Sequence, residues 1–363
     1  MKTKDDADCT FDMESLTLIE AVCAFEGALR RLHPMAVQSL RQGLTQRVAA
    51  LESLCRSLKQ RQGETRDEDA ASMVEAAGLL VEAIERFGLG DDMTSAFLSA
   101  LSATRPFCKA HEVMFGLAGR VRGLARLFVE GGLEARNQRA GLVPKASGTL
   151  VHRYPPGDPY ARGGYSLFVP GEGPGGPRLL VVALHGGMGH GRDFLWTWQR
   201  EASSRGFILL APTSQGRTWS LENIADDAGM LMRHLDEVCA EHDVDTSRIL
   251  VTGVSDGGSF ALGFGLGRWL PGVSIAPVAC VLPGCDITGA RGTRILWVQG
   301  ALDWMFPVAR AAKACEDLSR SGADVRLRII PDLAHAYPRE ENDAILNWFG
   351  IGRERGRTEP AGA

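Results

Sequence analysis

The stretch VTGVSDGGSF, residues 251–260, opens with β-formers and turns glycine-rich within three positions. Ser255 stands two residues after Gly253 and two before Gly257. The apolar run 248–252 leads straight into it, and DGGSFALGFGLGRWL (256–270) can start a helix behind it. Residues 253–257 are therefore a G-x-S-x-G set between a strand and a helix. A chain that reverses from strand to helix within one residue forces that residue into a strained backbone. It also requires neighbours without side chains, or helix and strand collide. The turn lifts the serine Oγ out at the sheet edge and sets the N–H of Asp256 beside it, the arrangement called a nucleophile elbow.

Outward from the elbow the C-terminal part alternates strands and helices. GTLVHRY (148–154) and GYSLFVP (164–170) read as strands that end at turn signals. RLLVVALHG (178–186), GFILLAP (206–212), SRILVTGVS (247–255), VACVLPG (278–284), RILWVQG (294–300) and VRLRII (325–330) read as further strands. Helices are expected near 193–205, 221–241, after Ser255, and near 307–321 and 340–350. Alternation of this kind, with continuous apolar strands, predicts an α/β fold: a mostly parallel sheet covered by helices on both faces. Ligands of such sheets sit beyond the carboxyl ends of the strands.

Three more features collect at those ends. LHGGMGHG (184–191) closes the first buried strand, and its N–H groups, those of Gly187 or Met188, can join that of Asp256 in an oxyanion hole. The cluster lacks the Lys-Ser/Thr end of a phosphate loop, and its His185 reads as structural. Asp303 follows the strand RILWVQG, with Asp286 in LPGCDI as the alternative acid. His335 lies after the last strand, in IIPDLAHAYPRE. The chain order is serine, acid, histidine. Trp219 and Trp304 are candidate pocket walls or, equally, core residues.

The first part of the chain reads differently. All seven Trp and all four Tyr lie at or after Tyr154. Before it, apolar residues recur at steps of three and four: Leu16 to Leu32, Val37 to Leu58, Met73 to Phe87, and a fourth pattern from Asp92 to about Glu130 broken at Pro106. Residues 1–140 are expected to form an all-α helical bundle of four or five helices. A linker and first strand would occupy 141–163, the catalytic domain 164–353, and a disordered tail 354–363. The stripe 37–58 is a bundle core or, alternatively, a seam for a homo-oligomer.

Composition sets outer bounds. The 363 residues are 45% hydrophobic and 23% charged, with a formal net charge of −4. That gives no electrostatic reason to expect nucleic acid. No apolar run approaches 18 residues, so no transmembrane segment is expected. MKTKDDADCT has no apolar signal region, which points to the cytoplasm. The eight cysteines form no metal-like pair and read as reduced, with Cys280–Cys285 as the one conceivable bridge.

Over residues 148–350 the sequence resembles the α/β-hydrolase superfamily. Within it, YSLFVP, LLVVALHGGMG, VTGVSDGGSFAL, ILWVQGALDWMFPV and IPDLAHAYP are similar to the compact phospholipase/carboxylesterase and polyhydroxyalkanoate-depolymerase-like esterases. The resemblance implies a serine hydrolase acting on a small-molecule or lipid-like ester or thioester, with no cofactor and no metal. It implies Ser255 as nucleophile, His335 as base and then acid, and Asp303 as the orienting acid. The same triad would serve a serine peptidase of the prolyl-oligopeptidase type. An assembly protein that retains a hydrolase domain is the third reading. The helical extension is not explained by the resemblance.

Overall fold

A computed structural model describes residues 4–62, 68–130, 147–171 and 176–351. The expected tail 354–363 and the beginning of the expected linker lie outside those residues.

Among the described residues, seven α-helices precede the sheet: α1 (Lys4–Arg30), α2 (Val37–Thr45), α3 (Val48–Gln62), α4 (Glu68–Arg86), α5 (Met93–Ser102), α6 (Thr104–Leu117) and the short α7 (Ala125–Phe128). The stripe from Val37 to Leu58 is thus not one helix but two, parted at Gln46 and Arg47. Its residues Val37, Leu44, Leu51, Leu54 and Leu58 are all buried within this chain. Leu40 and Val48 of the same stripe are partly buried and pack against that core. The fourth pattern breaks at Ala103, not at Pro106. Proline is tolerated in a first helical turn, where its missing N–H has no intrahelical partner, and Pro106 is the third residue of α6. Asp92 caps α5 by accepting from the N–H groups of Thr94 and Ser95.

The sheet comprises β1 (Gly148–Arg153), β2 (Tyr165–Pro170), β3 (Arg178–Leu184), β4 (Ile208–Pro212), β5 (Val244–Val254), β6 (Ser274–Val278), β7 (Arg294–Gly300) and β8 (Asp324–Ile330). Their spatial order is β1-β2-β4-β3-β5-β6-β7-β8. β1 pairs antiparallel with β2 and β2 with β4, while the other pairs are parallel. The intervening helices are α8 (Gly191–Phe194), α9 (Gln199–Arg205), α10 (Ile224–Glu241), α11 (Asp256–Leu266), α12 (Val308–Arg320) and α13 (Asn342–Phe349).

One expected strand is displaced. VACVLPG does not form β6; the strand is SIAPV, and it ends where Ala279 takes φ 46. A positive φ at a residue with a side chain leaves the extended region, so the apolar run 279–282 leaves the sheet. Cys280 and Cys285 are both free thiols.

Side chains alternate across the sheet, as strand geometry dictates. Leu180, Val182, Ile208, Leu210, Val251, Ile275 and Trp297 face one core with α10, α11 and α12. Val181, Ala183, Leu209, Ala211, Leu250, Ala276 and Val298 face the other. This second core does not stop at the sheet's own helices. It runs through Leu195, Trp196 and Trp198 into Phe128, Met114, Phe107 and Phe25 of the N-terminal helices. Trp196 lies 5.8 Å from the Phe115 ring, and Phe168 of β2 lies 5.7 Å from the same ring. A change in sequence grammar near residue 140 therefore separates two chain segments but not two cores. Among the described residues, no helix is long and apolar enough to cross a membrane.

Candidate active site

Ser255 follows β5 directly and caps α11 with φ 55 and ψ −121. This is the strained conformation the glycine pattern predicts. The glycines are spatially obligatory. A Cβ on Gly257 would fall 2.3 Å from the His185 carbonyl oxygen, and one on Gly253 would fall 2.6 Å from the Gly257 backbone. The helix start and the β3 loop are that close. Gly257→Ala is accordingly expected to cost at least about 3 kcal/mol, because backbone cannot yield as a side chain does. A thermal melt measures this, and an unchanged midpoint would show that the loops do not pack in this way.

The three groups proposed from sequence meet at the carboxyl edge. His335 Nε2 is 3.0 Å from Ser255 Oγ. His335 Nδ1 lies 3.1 and 3.0 Å from the two carboxylate oxygens of Asp303. A carboxylate only accepts, so Nδ1 carries the proton and donates, leaving Nε2 to accept from the serine hydroxyl. The Asp303 side chain is fully buried and that of His335 is 10% exposed. Burial pushes the Asp303 carboxyl up. The His335 hydrogen bond and charge, with the N–H groups of Phe306 and Met305, outweigh burial and hold it below its usual value.

Gln299 completes the acid's surroundings. It is fully buried, and its Nε2 donates to Asp303 Oδ2 at 2.8 Å and to the Phe306 carbonyl at 2.7 Å. Sequence reasoning missed it, although a glutamine ending the apolar run ILWV was a visible signal. Asp286, the alternative acid, instead caps its own turn by accepting from Thr288.

The β3 loop lies against the elbow. A Cβ on Gly186 would approach Ser255 Cβ to 3.6 Å, and one on Gly187 would approach Asp256 Oδ2 to 2.8 Å. The N–H of Met188 is already donated to the Arg217 carbonyl at 2.9 Å. That corrects the expectation that Met188 can supply an oxyanion donor. Among the described residues neither Gly187 N–H nor Asp256 N–H has a backbone acceptor. The Asp256 carboxylate points aside and accepts from Thr218 Oγ1. His185 has no spare nitrogen. Its Nδ1 donates to Gly186 O and its Nε2 accepts from Ser214 N–H, and burial pushes its pKa down to about 3.

The two tryptophans part company. Trp219 is 1% exposed, stacks on Phe260 with ring centroids 4.7 Å apart, and donates Nε1–H to the His185 carbonyl. It is core beneath the β3 loop, so of its two expected places the pocket wall is the one to be corrected. Trp304 lies at the site's edge, 6.3 Å from the His335 ring and 5.4 Å from Phe97 of α5. A groove of about 420 Å³ lies elsewhere, lined by Glu222, Ile224, Gly263, Trp269 and Asp286. It lies toward the far end of α11, which spans roughly 16 Å at about 1.5 Å per residue.

An antiparallel β1-β2 edge, a parallel run with strand order 4-3-5-6-7-8, and a strained serine between β5 and its helix decide the architecture. The fold is that of the α/β-hydrolases. No family model and no curated protein matches the sequence. Solved structures to which this chain is similar include an acetyl xylan esterase from Aspergillus awamori. It is 16% identical, with 56% of this chain and 100% of that chain covered and a TM-score of 0.46. The serine hydrolase FphF of Staphylococcus aureus, described as fluorophosphonate-binding, is 13% identical, with 56% and 98% covered and a TM-score of 0.44. A thermostable esterase is 18% identical with a TM-score of 0.43; the match takes in 56% of this chain but only 62% of that esterase.

Proposed function

We propose that this protein is a serine hydrolase that cleaves carboxylic esters or thioesters through an acyl-enzyme. The observation that carries this reading is the unbroken chain Asp303–His335–Ser255, with contacts of 3.0 and 3.0 Å, ending on a serine held at φ 55. Positive φ at a serine is costly and persists where the surroundings enforce it.

In this mechanism Ser255 Oγ attacks the substrate's acyl carbonyl carbon while His335 Nε2 takes the hydroxyl proton. The carbonyl oxygen becomes an oxyanion. Gly187 N–H and Asp256 N–H receive it, the latter at the positive end of α11. Collapse breaks the bond to the alkoxide or thiolate, which leaves with the proton from His335. Water then repeats the sequence on the acyl-Ser255 ester. The acid is released and the serine proton returns. Asp303 stays ionised throughout, fixing the tautomer and stabilising the imidazolium.

Incubation with a fluorophosphonate followed by peptide mass analysis tests this reading. The adduct is expected on Ser255 and is expected to be absent from Ser255→Ala. Release of p-nitrophenol from short acyl esters, run beside a panel of dipeptide amides, separates ester from peptide cleavage. Wild-type protein that takes no label and turns over no ester would sink the proposal.

A further inference from the structure

The loop that carries His335 runs between β8 and a short helical turn at Arg339–Glu341. Residues 331–338 have neither helix nor strand of their own. Yet His335 has to meet Ser255 on one side and Asp303 on the other. Toward the sheet, the loop is tied by Leu302 N–H donating to the Leu333 carbonyl at 3.0 Å. Its opposite side is held by helix α1, from the other end of the sequence.

We propose that Arg30, the last residue of α1, is a positioning residue for His335, so that the N-terminal helices are part of the catalytic unit. The inference rests on the triad role of His335 argued above. The Arg30 guanidinium straddles the loop. Nη2 donates to Asp332 Oδ1 at 2.9 Å, Nη1 to the Asp332 carbonyl at 3.0 Å, and Nε to Glu340 Oε1 at 2.5 Å. The Arg30 carbonyl accepts from Ala334 N–H at 3.3 Å. Asp332 lies three residues before His335, Ala334 immediately before it, and Glu340 five after. One residue thus grips the loop on both sides of the histidine. A second rung lies one helical turn earlier. Arg339 donates to Glu26 of α1 at 2.7 Å and to the Leu127 carbonyl at 3.2 Å.

Exposure argues against a role in stability alone. The side chains of Asp332 and Glu340 are 75% and 49% exposed, and exposed ion pairs add little to folding. Their constraint is geometric. A planar fork with several fixed donors holds three acceptors in one arrangement, which an ammonium on a flexible stem does not. The proton transfer between Ser255 and His335 is the step that depends on that arrangement. Trp304 adds contact on the same side, with its ring 5.9 Å from His33 and 6.3 Å from His335.

The test is Arg30→Ala in the full chain, read by the rate constant for fluorophosphonate labelling of Ser255 and by steady-state ester hydrolysis. A misplacement near 1 Å can cost about 100-fold, so labelling and kcat are expected to fall together by about 10- to 100-fold. KM should stay within about twofold, because no substrate contact is removed. Loss of structure alone would reduce the labelled fraction and leave the rate constant per labelled molecule unchanged. Arg30→Lys keeps the charge without the fork and should recover part of the rate. The double variant Asp332→Ala/Glu340→Ala removes both carboxylates from the loop side and should slow labelling in the same direction. If Arg30→Ala does not fold, this double variant decides. Wild-type rates in either folded variant overturn the proposal. A wild-type protein that neither labels nor hydrolyses esters overturns the hydrolase reading, and the clamp with it. A labelled wild type with unaffected variants overturns the clamp alone.

Discussion

Asp303→Asn is expected to lower kcat for ester hydrolysis by about 10⁴-fold at neutral pH, with the protein still folded. The reason is the direction of one proton. Asp303 accepts from four N–H groups: those of Met305 and Phe306, one Gln299 Nε2–H, and His335 Nδ1–H reaching both oxygens. In asparagine one oxygen becomes an NH₂ group. The backbone donors of Met305 and Phe306 keep the remaining oxygen, so the new amide nitrogen faces Gln299 Nε2 and His335 Nδ1. Facing a donor, His335 moves its proton to Nε2 and presents N–H to Ser255. A protonated Nε2 cannot take the serine's proton. Asp286→Asn is the control: Asp286 serves only its own turn at Thr288, and rates should be unchanged. The measurement is kcat and kcat/KM on a p-nitrophenyl ester for wild type and both variants. A tenfold loss or less in Asp303→Asn would mean that the 3.0 Å contact to His335 is not used as argued.

The α/β layering and the elbow were legible because both leave local marks. Strands buried on both faces read as apolar runs, and a strained turn demands glycine at Gly253 and Gly257 whatever the rest of the chain does. The chain order of Ser255, Asp303 and His335 was legible because each follows a strand. What stayed hidden depends on partners remote in sequence. Trp219 read equally as pocket wall or core because a tryptophan in a loop carries no sign of its burial; Phe260 and the His185 carbonyl supply that. Met188 looked available until the Arg217 carbonyl occupied its N–H. The strand β6 was misplaced because VACV is as apolar as SIAP, and only the positive φ at Ala279 tells which run stays in the sheet. Arg30 gave no signal, since its acceptors lie 302 and 310 residues away.

Removing the helices should abolish the soluble protein. The fragment 146–363 retains every strand of the described residues and the whole proposed triad, so a separable extension would leave an active hydrolase. The shared core predicts otherwise. Phe168 and Trp196 are almost wholly buried, and Phe115 packs on both. Re-exposing these two alone forfeits about 3–6 kcal/mol at about 1.5–3 kcal/mol for each large side chain. A typical domain is held folded by only about 5–15 kcal/mol. The uncovered face would also form a contiguous apolar patch of the kind that drives aggregation. Arg205, whose side chain is 4% exposed, would lose its 2.8 Å pair with Glu130, and Arg192 its 2.7 Å pair with Glu112. Expression of 146–363 should therefore give insoluble or aggregated material, read by the soluble fraction and by size-exclusion chromatography. A monodisperse monomer with wild-type specific activity would show that the helices are neither cover nor clamp. A soluble fragment that labels slowly would separate those two roles, since it matches the Arg30→Ala result and assigns the helices to positioning rather than to the core.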